Sequence, residues 1–283
     1  MGILANSKSV VTPGTRVRPG DNPGDETELS PRETSTFRGI VARANYLSQD
    51  RSDIKYATKE LSRRMAKPRI RDVNAAKRLA RYLSTRTRMI CHFKKQKMPK
   101  EIEAWSDSDW AGCLETRKST SGGLIKFGTH ILKSWSITQN TIALSSGEAE
   151  FYAMVKAGSQ GLGMRSMLED VGIQSNVKII TDATAARGMA QRKGLGAVRH
   201  VEVHQLWIQD KVHSKEICVE KVGGKSNLAD GLTKFVDGKD LAIHVDGIGL
   251  ENRTGRHIEA PAMAAGDAVK TVRWADEHDD MSE

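Results

Sequence analysis

The sequence has no run of 18 or more apolar residues, which excludes a transmembrane helix. Its opening, MGILANSKSVV, lacks the charged start and apolar core of a secretory signal, so no leader of that kind is expected. The same opening starts Met-Gly like a myristoylation signal, with its serine at Ser7 one position beyond where the pattern places it, and nothing downstream supports a lipid anchor, so no membrane partner is expected. Cysteine is scarce: Cys91, Cys113 and Cys218 are odd in number and far apart. They fit neither a disulfide framework nor a CxxC zinc site, and read as reduced thiols of an intracellular protein, cytoplasmic or nuclear. Proline is sparse as well, and four of the seven (Pro13, Pro19, Pro23, Pro31) fall within residues 1–35. That stretch has few large apolar side chains and is expected to be a disordered leader with no core of its own. A YxDD-like strand motif is also missing, and the one adjacent aspartate pair, Asp279–Asp280, lies near the C-terminus. No polymerase activity is expected from this chain.

What is present suits a globular protein. The chain has 283 residues, of which 38% are hydrophobic, enough for one large domain or two small ones. Charge is uneven. Residues 36–100 carry 19 Lys/Arg against 4 Asp/Glu, whereas the whole chain has a net charge of only +9. A basic block beside a more acidic remainder suggests a polyanionic partner, most simply nucleic acid. Arg63, Arg64, Lys67, Arg69 and Arg71 cluster within it and are the candidate phosphate-tracking arm.

Periodicity divides the chain further. Residues 36–100 read as a basic helical segment, with Ile40, Ala44 and Leu47 on one stripe, Val73, Ala76, Ala80 and Leu83 on another, and Pro68 between the two helices. From Glu101 alternation takes over: strands at 102–107, 121–128 and 130–136 form an antiparallel meander. A helical stretch from Ser145 to Val171 follows, with Gly158, Gly161 and Gly163 expected to break it in two. Then come a strand at 177–182, a small helix at 183–190, a helix at 198–213, a strand at 217–222 and a last helix from Asn227. The order predicts an α/β domain over 101–237, a mixed five-stranded sheet flanked by helices. Residues 238–283 are expected to be a mostly disordered tail, with LAIHVDGIGL a possible short ordered piece.

Four acids fall where this topology brings them to one sheet edge: Asp107 on the first strand, Glu150 in the first helical turn, Asp182 at a strand end and Asp230 at the start of the last helix. Acidic oxygen ligands suit Mg²⁺ or Mn²⁺. Two such ions about 4 Å apart clamp a phosphodiester for in-line attack by water. Asp109 shares a strand face with Asp107, so spacing alone does not choose between them. Glu148 is explained by a capping box, Ser145-x-x-Glu148, which leaves Glu150 as the functional acid. Other motifs carry no chemistry. GGKS (223–226) has Val219 where a P-loop needs its first glycine, and no HExxH surrounds His200 and His204.

These residues resemble a family. SDSDWAGC (106–113), RKSTSGG (117–123), KSWSITQNTIALSSGEAEFYAM (133–154), IITDATAA (179–186), RHVEVH (199–204) and NLADGLTK (227–234) are similar to the ribonuclease H domain of copia-type retrotransposon Pol polyproteins. RGIVARANYLSQDRSDIKYATKELSRRMAKP (38–68) and NAAKRLARYL (74–83) resemble the C-terminal, thumb-like segment of that family's reverse transcriptase. The resemblance implies a ribonuclease H-like fold and a D-E-D-D site at Asp107, Glu150, Asp182 and Asp230. It implies two Mg²⁺ ions, with Asp107 bridging both, Asp230 on the nucleophile side, and Glu150 with Asp182 on the leaving-group side. The activity it implies is cleavage of the RNA strand of RNA–DNA hybrids, leaving 5′-phosphate and 3′-hydroxyl ends, with the rest of a reverse transcriptase as a possible partner. Apart from the resemblance, His200, at i−4 from His204, reads as a hybrid contact or as simple packing. Phe235 stands where the family usually has proline after its TK pair. A non-catalytic nucleic-acid-binding remnant is the alternative. A DDE integrase or transposase shares the fold but places its glutamate last, whereas here Glu150 comes second.

Overall fold

The computed structural model describes residues 8–16, 23–196 and 205–255. The helical segment comprises α1 (Pro31–Leu47), α2 (Lys55–Ser62) and α3 (Ile70–Ser84). Helix α1 begins inside the expected leader because its start is specified locally. The Ser30 hydroxyl accepts from the Glu33 N–H, the Glu33 carboxylate accepts from the Ser30 N–H at 3.0 Å, and Pro31 occupies the first helical position. Its buried stripe is Phe37, Val41 and Ala44, one register away from the predicted Ile40 and Leu47. On α3 the buried positions are Asp72, Ala76, Leu79 and Tyr82, so only Ala76 of the predicted stripe is among them. All of these side chains but Asp72 share one core with Ile54, Ala57 and Leu61, against which Val10 from the N-terminal segment also packs.

The sheet is built from β2 (Glu101–Ser108), β3 (Thr120–Phe127), β4 (His130–Thr138), β5 (Asn176–Thr181) and β6 (Ile217–Lys221), after the short strand β1 (Met89–Cys91). Its order is β4-β3-β2-β5-β6, with β2, β3 and β4 antiparallel and β5 and β6 parallel to β2. This is the mixed ribonuclease H-like α/β arrangement expected from the sequence. Helix α4 (Ser146–Asp170) packs across it, and α5 (Thr184–Gln191) and α6 (Trp207–His213) complete the cover. The part of the expected 198–213 helix at 198–204 lies outside the described residues.

Three expectations change. Helix α4 is continuous through its glycines because Gly158 and Gly161 face the sheet. A Cβ on Gly161 would lie 2.7 Å from Val177 Cγ1, so these glycines permit close approach and do not break the helix. No long helix starts at Asn227; two 3₁₀ turns, Gly224–Ser226 and Asp230–Leu232, stand there instead. Residues 238–252, within the expected tail, form α7 (Gly238–Gly247) and β7 (Leu250–Asn252), an ordered segment that contains and extends beyond LAIHVDGIGL. The Asp237 carboxylate caps α7 by accepting from the Lys239 and Asp240 N–H groups, and β7 pairs antiparallel with β1. The remaining leader and tail residues, 1–7, 17–22 and 256–283, lie outside the described residues. Among the described residues no helix is long and apolar enough to cross a membrane.

Candidate metal centre

Parallel pairing brings the first two acids together. Trp105 on β2 is in register with Ile180 on β5, so two residues further along Asp107 comes level with Asp182, just past the end of β5. Helix α4 supplies the third. The Ser145 hydroxyl caps its N-terminus by accepting from the Glu148 N–H at 3.2 Å, and Glu150 falls in the turns that start over the sheet. Glu148 is held as structure, although its carboxylate reaches back to the Leu144 N–H (2.8 Å) in place of the expected Ser145 N–H and accepts from the Tyr152 hydroxyl (2.7 Å). One carboxylate oxygen from each of Asp107, Glu150 and Asp182 lies within 4.8 Å of the others.

The electrostatics follow from that crowding. Asp107 is buried, and its carboxyl is pushed up to about 6 by loss of solvent and by the Asp230 and Asp182 charges, against the Thr233 hydroxyl donating to it and the Lys234 ammonium. Glu150 is pushed up to about 9, first by burial and then by Asp107 and Asp182. Its Oε2 is buried with no hydrogen-bond partner. Three clustered carboxylates, one with an orphaned oxygen, fit a hard divalent cation, which would supply the missing partner and offset the repulsion.

The other predicted residues are placed differently. Asp109 is outside the cluster: its carboxylate accepts from the Thr120 N–H, and burial raises its pKa. Asp230 contributes its charge to Asp107 but is not in the cluster; its carboxylate is ion-paired with Lys234. In the expected arm, Arg63 pairs with Glu60 (3.1 Å), Arg64 with Glu115 (2.6 Å), Arg71 with Glu26 and Glu115, and Arg69 with Glu26. Lys67 is exposed. His200 lies outside the described residues. Residue-by-residue reading gave no role to Thr233, Asn227 or Lys234. Asn227 donates to the Asp182 carboxylate (3.2 Å) and to the Ser106 carbonyl (3.0 Å), tying the turn that carries Asp230 to β2 and β5. The signal was available, since all three lie inside NLADGLTK.

Comparison with known proteins places these features among relatives. No family model matches the chain. It is 32% identical over 206 residues to a retrovirus-related Pol polyprotein from transposon RE2 of Arabidopsis thaliana, an alignment covering 71% of this chain and 14% of that protein. An uncharacterized mitochondrial protein of the same plant is 37% identical over 130 residues, covering 45% of this chain and 53% of that one. Among solved structures, LC11-RNase H1, isolated from compost by a metagenomic approach, is 16% identical with a TM-score of 0.35, covering 47% of this chain and 93% of the other. The chain thus spans about one seventh of the length of the transposon polyprotein it matches.

Proposed function

Because the chain belongs to the copia-type retrotransposon Pol polyproteins, we propose that it carries their ribonuclease H activity, hydrolysing the RNA strand of an RNA–DNA hybrid. The observation that supports this most is the meeting of Asp107, Glu150 and Asp182 from β2, α4 and the end of β5. Two Mg²⁺ ions, with Mn²⁺ a possible substitute, would activate the attacking water and neutralise charge on the phosphate and the leaving oxygen. Asp107, Glu150 and Asp182 would hold them, with Asp230 as fourth ligand by resemblance. The Thr233 hydroxyl orients Asp107, and the Asn227 amide orients Asp182. The products would carry 5′-phosphate and 3′-hydroxyl ends. The hybrid would be recognised by its shape and by the 2′-hydroxyls of the RNA strand. The basic arm enters this reading through exposed Lys67 more than through Arg63, Arg64, Arg69 and Arg71, whose charge is already shared with glutamates. No polymerase activity is expected.

One observation favours the non-catalytic alternative: the Asp230 carboxylate is ion-paired with Lys234 and lies outside the cluster of the other three acids, although its charge still acts on Asp107. A cleavage assay on a labelled RNA–DNA hybrid separates the readings. Mg²⁺-dependent cutting of the RNA strand, abolished by EDTA and reduced to background in Asp107→Asn, is the expected result. Hybrid binding with no cutting in either protein would overturn the nuclease reading and leave the remnant.

A further inference from the structure

We propose that a cavity of about 720 Å³ beside the acidic site is an anion cleft that takes phosphodiester groups of the bound nucleic-acid strand, through Arg16, Arg78 and Arg81. The inference rests on the nucleic-acid reading given above and adds a second place of contact to it. The cavity is walled by α2, α3, residues 13–16, the loop at 109–115, and Lys234 with Phe235.

Most cations on this wall already hold an acid. Arg63 is paired with Glu60, Arg64 and Arg71 with Glu115, and Lys234 with Asp230. Arg16, Arg78 and Arg81 have no carboxylate partner among the described residues. Arg78 donates through Nη2 to the Thr12 hydroxyl at 2.9 Å, a neutral partner, and its Nε is buried with none. Arg81 follows at i+3 on α3, so the two guanidinium groups are neighbours. Burial and the Arg81 charge both push the Arg78 pKa down. Two adjacent like charges, one with an unmet donor, are a cost that a bound anion removes. The guanidinium fork, always protonated, matches the oxygens of a phosphate.

Position argues for a strand in preference to a free anion. Lys234 lines this cavity and also the depression that holds Asp182 and Asp230. Asp109 and Trp110, two and three residues beyond Asp107, form part of the cavity wall. A strand with its scissile phosphate on the acids therefore has the cleft alongside for neighbouring phosphates. The site depends on the N-terminal segment. Phe235 packs so closely over Gly14 that a Cβ there would lie 2.1 Å from the ring, and Thr12 accepts from Arg78.

The test is hybrid binding by fluorescence anisotropy in EDTA, over a range of KCl concentrations, with cleavage in Mg²⁺ measured in parallel. Arg78→Gln/Arg81→Gln is expected to weaken binding about tenfold or more and to flatten the log–log salt slope by roughly 0.7–0.9 for each phosphate no longer neutralised. Arg78→Lys/Arg81→Lys is expected to keep the slope. Arg81→Gln alone, which leaves the Thr12 hydrogen bond intact, is expected to give a smaller effect of the same sign, and thermal melts establish that each variant is folded. A folded double-Gln variant with the wild-type slope overturns the cleft. Thermal melts of wild type and the double-Gln variant are also taken with and without pyrophosphate: a variant that loses only the pyrophosphate stabilisation, with hybrid binding and slope unchanged, overturns the cleft as well, because the cavity would then serve a free anion. Wild-type cutting with an arginine-independent slope sinks the cleft and leaves the nuclease; arginine-dependent binding without cutting does the reverse.

Discussion

Asp107 and Asp109 have the same side chain, lie two positions apart and have opposite fates. Asp107 lies on β2 two residues past its last pair with β5 and comes level with Asp182, just past the end of β5; Asp109 lies past the end of β2, and its carboxylate turns to the Thr120 N–H. The sequence pattern could not divide them because the decision belongs to where β2 leaves its pairing with β3 and which of its residues comes level with the end of β5, neither of which local spacing records. The Asp107 carboxyl rises from 3.8 to about 6 on folding. Between those pH values the folded chain keeps a proton that the unfolded chain has released, so stability falls as pH rises through that window and the loss is complete above it. In EDTA, Asp107→Asn is therefore expected to be more stable than wild type at pH 7 by about 1–3 kcal/mol, an advantage that disappears near pH 4. Urea melts at the two pH values check this, and a gain that does not depend on pH would refute it. Glu150, raised to about 9 by burial and by the Asp107 and Asp182 charges, would keep its proton at neutral pH, and a divalent ion bound there would have to displace it. Calorimetric Mg²⁺ or Mn²⁺ titrations at pH 7 in buffers of different ionisation enthalpy are expected to show net proton release and affinity rising with pH.

At the scale of the element, α4 shows what periodicity carries and what it misses. The capping serine and the apolar repeats located the helix, and three glycines suggested a break. The helix continues because each glycine meets a different environment. A Cβ on Gly161 would lie 2.7 Å from Val177 on β5, whereas one on Gly163 would meet nothing within 4 Å. Gly161→Ala is accordingly expected to cost about 1–3 kcal/mol through overpacking. Gly163→Ala is expected to gain about 0.5–1 kcal/mol through helix propensity alone. Thermal melts of the pair would contradict the account if both changes moved stability the same way. The strands were legible for a related reason: alternation and short apolar runs are local signals, and β2 to β6 all appear close to their predicted bounds. The Asp230 turn was not. Its two short 3₁₀ turns have no period, and their shape comes from Asn227 reaching the Ser106 carbonyl and the Asp182 carboxylate.

The whole molecule closes through a segment that composition had assigned to a tail. After the Asp230–Leu232 turn, α7 lays Leu241 into the helical core, and β7 pairs with β1. Ile248 and Leu250 then join Leu124 and Leu232 in a separate small core beneath that turn. His244 on α7 is buried against Gly231, and burial lowers its pKa against the opposing pull of the Leu228 backbone, Asp53 and Asp230, so it packs there as a neutral ring. Only the order of LAIHVDGIGL (241–250), which falls in α7 and the start of β7, is readable from the sequence; its packing is not, because its apolar residues gain value only once β1 and the turn are in place. The arrangement couples the fold to the site through Leu232, which lies between Asp230 and Thr233. Ile248→Ala and Leu79→Ala, each removing a nearly fully buried side chain, are both expected to cost about 2–5 kcal/mol. Only Ile248→Ala is expected to weaken divalent-ion binding as well, because only that cavity lies under the residues that carry Asp230 and orient Asp107. Calorimetric Mg²⁺ or Mn²⁺ titrations of the two variants, at a temperature where both are folded, decide the point: equal drops in affinity would mean that the ion senses overall stability and not the small core beneath it.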